Sequence, residues 1–311
     1  MLTVFRKELA DHFSSIRFLI LFCLIAMVAL VITYMVGATI RNQLEGAKPG
    51  LVFLMLFTSG QFFSLAEFIA FFGPLIGLIM GFDSINRERN QGTLSKILSQ
   101  PIYRDAVING KFLAGVVTIS IMLVSIVLLI SGLGLITIGV VPGSEEVARL
   151  LMYLVISIAY ISFWLGLSIL FSILFRSVAT SALAAVALWI FFSFVISFGA
   201  GILPRSLIPE ANNPEDLLRR SQIERTIKLA SPIFLYSEAT KTILDPYRRT
   251  TQSLIQVGQM ERLLMSRFQN PLSLSQSVLV VVPYLTTLLA LTFLCFGVSY
   301  LAFMRQEIRS V

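Results

Sequence analysis

Two uncharged stretches, 23 residues at 18–40 and 30 residues at 112–141, limit what this chain can fold into more than any other feature. At about 1.5 Å per helical residue, 23 residues reach roughly 35 Å, enough to cross the hydrocarbon of a bilayer with some tilt. Charged residues make up 13% of the 311-residue chain, against about 25% in an ordinary soluble domain, and 56% of the residues are hydrophobic. The chain therefore reads as an all-α integral membrane protein with six transmembrane helices. The spans are expected at 18–40, 62–82, 112–141, 150–175, from a turn at Arg176-Ser177 to about Leu203, and at 278–304. Residues 51–60 read as an interfacial or re-entrant piece ending at Gly60.

Four regions follow. Residues 1–17 place Leu2, Phe5, Leu9, Phe13 and Ile16 on one helical side, with Arg6, Lys7, Glu8 and Asp11 on the other. That pattern is an amphipathic helix in the membrane interface, and it is not expected to be a cleaved signal peptide. Residues 18–203 carry spans one to five. Residues 204–274 are polar enough for a small extracytoplasmic helical domain. Within it Asn213 is expected as an N-cap, Pro214 as the first helical residue, and a second helix over 247–268. Residues 275–311 hold span six and a charged tail. Gly132, Gly134, Gly166, Ser168 and Ser172 read as helix-contact positions.

The longest polar interruption of the first half, 83–111, packs Arg87, Glu88, Arg89, Lys96, Arg104, Asp105 and Lys111 between two spans. Asp83 can accept from backbone N–H groups where a helix restarts. Gly92-Thr93 breaks or caps it, and Leu94, Ile97 and Leu98 fall at i, i+3 and i+4 before Pro101 stops it. The residues read either as a short amphipathic helix lying across a membrane exit or as a solvated loop whose few apolar residues rest on the neighbouring spans.

In order and spacing, Arg87-Glu88-Arg89, Gly92-Thr93-Leu94, Ile97-Leu98-Ser99, Pro101-Ile102, Arg104 and Gly110-Lys111 resemble the cytoplasmic loop of type-2 ABC permeases. The amphipathic start resembles the connecting helix that opens many of them. The resemblance implies that this loop carries a coupling helix seated on a separate ATP-binding subunit, a role it extends to Glu88, Arg89, Gly92, Thr93, Leu94 and Pro101. On that reading Leu94, Ile97 and Leu98 form an apolar ridge that enters the subunit, with Glu88 and Arg89 orienting it by charge. A weaker match, Ser231-Pro232 followed by Leu235-Tyr236-Ser237-Glu238-Ala239, is similar to permeases associated with nitrous-oxide-reductase maturation.

With the 83–111 loop inside, eleven Lys/Arg lie on the inner side and three (Arg41, Lys48, Arg149) in short outer loops. The ten in 204–274 do not vote, because long domains translocate regardless of charge. Both termini are thus expected in the cytoplasm of a plasma-membrane protein. The net charge of +7 belongs to this topology, and no nucleic-acid partner is expected.

Glu67 is the one carboxylate embedded in the early spans, near the outer end of span two. At that depth an acid is protonated, paired or facing water, so it either lines a translocation path or marks the headgroup region. No phosphate-binding G-x-x-x-x-G-K-[ST] loop, H-E-x-x-H or G-x-S-x-G motif is present, and the single His12 has no ligand-spaced partners. No catalytic residue, metal or cofactor is expected, and ATP and Mg²⁺ would be handled by the ATP-binding partner. The expected function is the permease subunit of an ABC exporter, two copies working with two ATPases in membrane lipid. The alternative is a polytopic scaffold or intramembrane enzyme not coupled to ATP.

Overall fold

The computed structural model describes residues 1–43, 53–60, 64–100, 103–209, 214–245 and 272–306, and among these it holds helices and no strand. Helix α1 (Leu2–Phe13) turns at Ser14 into α2 (Ile16–Gln43), and the short α3 (Met55–Thr58) precedes α4 (Leu65–Gly81). Two brief helices, α5 (Asn86–Asn90) and α6 (Thr93–Leu98), fill the polar loop before α7 (Arg104–Ile138) and α8 (Ser144–Leu174). Helix α9 (Val178–Ile190) runs through a π turn (Phe191–Val195) into α10 (Ile196–Leu207), followed by α11 (Pro214–Leu229), α12 (Pro232–Leu244) and α13 (Leu274–Arg305). Among the described residues, six helical stretches are long and apolar enough to cross a membrane, at Ile16–Arg41, Leu65–Asn90, Arg104–Ile138, Ser144–Leu174, Val178–Leu207 and Leu274–Arg305. The chain is an all-α integral membrane protein.

The bundle is assembled around α8, which packs on α4, α7, α9, α12 and α13. In lipid, helices are drawn together by close packing and interhelical hydrogen bonds rather than by the hydrophobic effect. Helix α4 meets α8 through Gly73, Gly77 and Gly81. A Cβ built on Gly77 would stand 2.7 Å from the Ile161 carbonyl oxygen, and one on Gly81 2.8 Å from Ser168 Cβ. Hydroxyls of α8 then satisfy α4. Pro74 lacks the N–H that would bond the carbonyl of Ala70, and the Tyr160 hydroxyl donates to that oxygen instead at 2.7 Å. Ser168 donates to the Leu78 carbonyl at 2.8 Å. Of the expected contact glycines, Gly134 lies against Leu56 and Gly166 against Phe112, whereas Gly132 faces open space.

Residues 53–60 go into the protein. Phe53, Leu54, Leu56 and Phe57 are all buried, and the Phe53 N–H donates to Glu146 at 3.0 Å. Pro214 opens α11 as expected, while Asn213 and the helix expected over 247–268 lie outside the described residues. Helix α12 was not anticipated. It inserts against α8 and α13, where Tyr236 stacks on Tyr160 with ring centroids 4.3 Å apart and meets the Ser157 hydroxyl at 2.9 Å. Ser231, at its start, donates to the Phe192 carbonyl in the π turn.

Arg149, expected in an outer loop, is fully buried. Its guanidinium donates to Glu145, to the carbonyls of Ile243 and Leu272, and to Ser277, so one side chain ties the start of α8 to the end of α12 and the start of α13.

Candidate functional site

The 83–111 loop is folded onto the bundle. Asp83 does not cap the restarting helix. It accepts from Arg17 at 2.6 Å, and the cap comes from another span: the Ser172 hydroxyl accepts from the N–H groups of Ile85 (2.9 Å) and Asn86 (3.2 Å) and donates to Asn86 Oδ1 (2.7 Å). Gly92 then reverses the chain with φ +68°, a left-handed conformation that glycine adopts without strain, and Thr93 donates to the Glu88 carbonyl. Helix α6 begins there.

Two sequence expectations about this loop are corrected. Leu94 is 1% exposed and belongs to the protein's own core, and Ile97 packs against that core, so Leu94 does not form an outward ridge. Apolar periodicity marks the face that is buried without saying which body buries it. The backbone of Leu98 lies in α6, and Pro101 lies outside the described residues. Between 86 and 100 the described side chains that reach solvent are polar, Arg87, Asn90, Gln91, Lys96, Ser99 and Gln100, with Gly92 among them, and Tyr103 beyond them is exposed as well.

Glu88 is likewise no rim charge, because it is 9% exposed. Its Oε1 accepts from Lys111 Nζ at 2.9 Å and Lys7 Nζ at 3.2 Å, and the same two amines reach Glu8 Oε1 at 2.9 and 3.0 Å. This junction joins the loop to α1 and α7. Helix α1 comes that close because residue 110 is glycine: a Cβ there would stand 2.9 Å from Val4 Cγ1. Burial alone would raise the Glu8 pKa, but Lys111 and Lys7 outweigh it and hold the carboxyl below its usual range. Burial would lower the Lys7 pKa, yet Glu8 and Glu88 turn the balance and raise it. His12, half-buried beside the junction, has its pKa lowered chiefly by burial.

Arg89 reaches the far end of the chain. It donates to the Gln306 side chain, Arg104 donates to the Gln306 carbonyl at 3.0 Å, and Gln306 Nε2 donates to the Ile173 carbonyl at 2.8 Å. The loop is thereby bonded to α1, α7, α8 and the end of α13, so α1 and the end of α13 lie with it at one end of the bundle. Ser172 is an interhelical contact, as expected, and Lys111 belongs to the Gly110-Lys111 pair singled out in the sequence, whereas the partnership of Lys7, Glu8 and Lys111 with Glu88, and the part played by Gln306, were not anticipated. The usable signal was Lys111, an ammonium placed where the chain turns apolar, which needs a partner once α1 covers it.

Glu67 sits at the other end of α4. It closes a capping box with Ser64, each side chain bonded to the other residue's N–H at 3.2 Å, and pairs with Lys241 of α12 at 3.2 Å. Paired in this way, it is not an isolated charge.

Residues 2–308 match the family described as ABC-2 family transporter protein. The chain is also 28% identical over 236 residues to a probable ABC transporter permease protein NosY of Stutzerimonas stutzeri, covering 72% of this chain and 79% of the relative. A second protein of that description, from Pseudomonas aeruginosa, is 27% identical over 235 residues, covering 70% of this chain and 79% of its own length. With six apolar helices and a family match along nearly its whole length, the chain belongs to the ABC-2 transporter family as a multi-pass membrane subunit.

Proposed function

We propose that the chain is the permease of an ATP-driven exporter in the plasma membrane, two copies working with two ATP-binding subunits that dock on the exposed face of the 86–100 loop. One observation carries this reading: through Glu88, Asn86 and Arg89 the loop is bonded to three spans or their ends and to the amphipathic α1, while the exposed side chains described over 86–100 are polar. A displacement imposed on that face would pass into the bundle at several points at once, which a solvated connector would not do. Glu88, Arg89, Gly92, Thr93 and Leu94 then hold the loop in shape from within, with Ile97 packed on the core, and Leu98 and Pro101 share the proposed coupling role. The inward excess of cations favours a cytoplasmic location for this end and for both termini. Since α8 fills the centre of the described bundle, a substrate path would run between two copies.

The test places bulk on the outer face and leaves the ion pairs alone. Asn90→Trp with Ser99→Trp is expected to reduce co-purification of the ATP-binding subunit by at least about tenfold, the effect of losing about 1.4 kcal/mol at an interface. Unchanged co-purification and substrate-stimulated ATP hydrolysis would refute docking at this face.

Glu67, with Lys241, is the candidate contribution of this chain to the translocation path. Glu67→Gln keeps the capping-box geometry and removes the charge, so stability should change by less than about 1 kcal/mol. Transport assayed in reconstituted vesicles is expected to fall. Transport at the wild-type rate would make Glu67 a helix cap only.

A further inference from the structure

A cleft of about 670 Å³ opens between α1, the first turns of α2, the end of α4 and the loop. Its lining has three chemically distinct parts. Phe18, Leu21 and Met80, at the ends of membrane spans, supply apolar surface. Arg87 and Lys96 are exposed cations on its polar side, and neither has an ion pair among the described residues, whereas Arg17, Lys7 and Lys111 are all committed to carboxylates. Glu88 also lines it, and Glu88 Oε2 is the one buried carboxylate oxygen among the described residues without a hydrogen-bond donor; the Ser84 hydroxyl beside it is unpartnered too.

A buried carboxylate oxygen left without a donor is costly, and a charged N–H donor is its best partner. Two free cations a short way off ask for an anion, and the apolar part adjoins the region where acyl chains run. We infer that this cleft binds a phospholipid whose headgroup carries a primary ammonium, as in phosphatidylethanolamine. The ammonium donates to Glu88 Oε2, the phosphate lies between Arg87 and Lys96, and the upper acyl chain covers Phe18, Leu21 and Met80. A choline headgroup has no N–H to give, and a glycerol headgroup brings no positive charge to Glu88, so neither fits equally well. The lipid would be a fixed part of the junction between α1 and the loop. This inference rests on the membrane fold and not on the docking of an ATPase.

The full chain, purified and passed through vesicles of phosphatidylethanolamine, phosphatidylcholine or phosphatidylglycerol, can be assayed for retained lipid by native mass spectrometry. One phosphatidylethanolamine per chain is expected to survive detergent washing, with the other two retained about tenfold less, reflecting the lost charged hydrogen bond. Arg87→Ala with Lys96→Ala, both at exposed positions, should remove the retained lipid and with it any rise in the thermal melt that phosphatidylethanolamine gives the wild type, while the chain stays monodisperse in detergent, and Glu88→Gln should abolish the preference for ethanolamine over choline. Equal retention of the three lipids, or retention indifferent to the Arg87/Lys96 pair, overturns the inference. So does crosslinking of Lys96 to an ATP-binding subunit with no lipid in the complex, a result that would leave the Asn90/Ser99 docking test standing.

Discussion

Lys111→Met is expected to destabilise the protein by about 3–5 kcal/mol, the range found when one member of a buried ion cluster is removed and its partners stay behind. The Lys111 side chain is 4% exposed and its ammonium lies 2.9 Å from both Glu8 and Glu88. Methionine fills nearly the same space, so the effect is electrostatic: two carboxylates remain face to face, compensated only by Lys7, whose side chain is 52% exposed and therefore well screened. Adding Glu8→Gln and Glu88→Gln to Lys111→Met removes both stranded charges and should recover most of the loss. If the single mutant melts like the wild type, or the triple mutant gains nothing over it, the junction does not hold α1 and the loop together. Acid distinguishes the two states further. The Glu8 carboxyl is held below its ordinary 4.5 in the folded chain, so it contributes stability that is fully present above that value and fades as the pH falls through the lower folded one. A melting temperature recorded from about pH 7 down to about pH 3 should therefore drop through that window in the wild type, and drop less in Lys111→Met, where the lysine that depressed the carboxyl is gone.

How much of this was legible depended on the kind of signal. Membrane spans are set by the length of uncharged runs, which a sequence states directly, so six candidate spans overlap the six expected ones, although span two begins later than 62, span three ends before 141, and most other ends run past the uncharged stretch. Partnership is set by three-dimensional neighbours. Glu8 falls on the polar side of α1 by periodicity, and only the approach of Gly110 turns part of that side inward onto Lys111. Leu94 was legible as a buried residue, and the burying body proved to be the chain itself. Helix α12 escaped because its apolar face lies inside a polar region of the sequence. Proline at its first position and Leu235, Tyr236, Ala239 and Ile243 on one side are the marks it leaves. Gln306 and Arg149 carried no signal: one glutamine at the end of a span and one arginine in a turn have no pattern until the carbonyls of Ile173, Ile243 and Leu272 converge on them.

The four-residue spacing of Gly73, Gly77 and Gly81 was present in the sequence, and it yields the other large expected effect. Gly77→Val should prevent α4 from reaching α8. A Cβ at residue 77 would stand 2.7 Å from the Ile161 oxygen and 2.8 Å from the Leu165 nitrogen, backbone atoms in the middle of α8 that cannot swing aside. The helices must separate. That separation would break the bonds from Tyr160 to the Ala70 carbonyl and from Ser168 to the Leu78 carbonyl, both buried and both without water to replace them. Overpacking alone costs about 1–3 kcal/mol and each stranded polar group about 1–3 more, so the sum exceeds what most membrane bundles can lose and keep their fold. Little monodisperse protein should remain on size-exclusion after detergent extraction, and Gly77→Ala should melt lower than the wild type. Gly132, which has no atom within 4 Å of an added Cβ, supplies the internal comparison. Gly132→Ala trades a poor helix former for a good one at an open position and should be neutral or slightly stabilising. If Gly77→Val and Gly132→Ala behave alike, α4 does not pack on α8 through its glycines, and the bundle that anchors the loop is built in some other way.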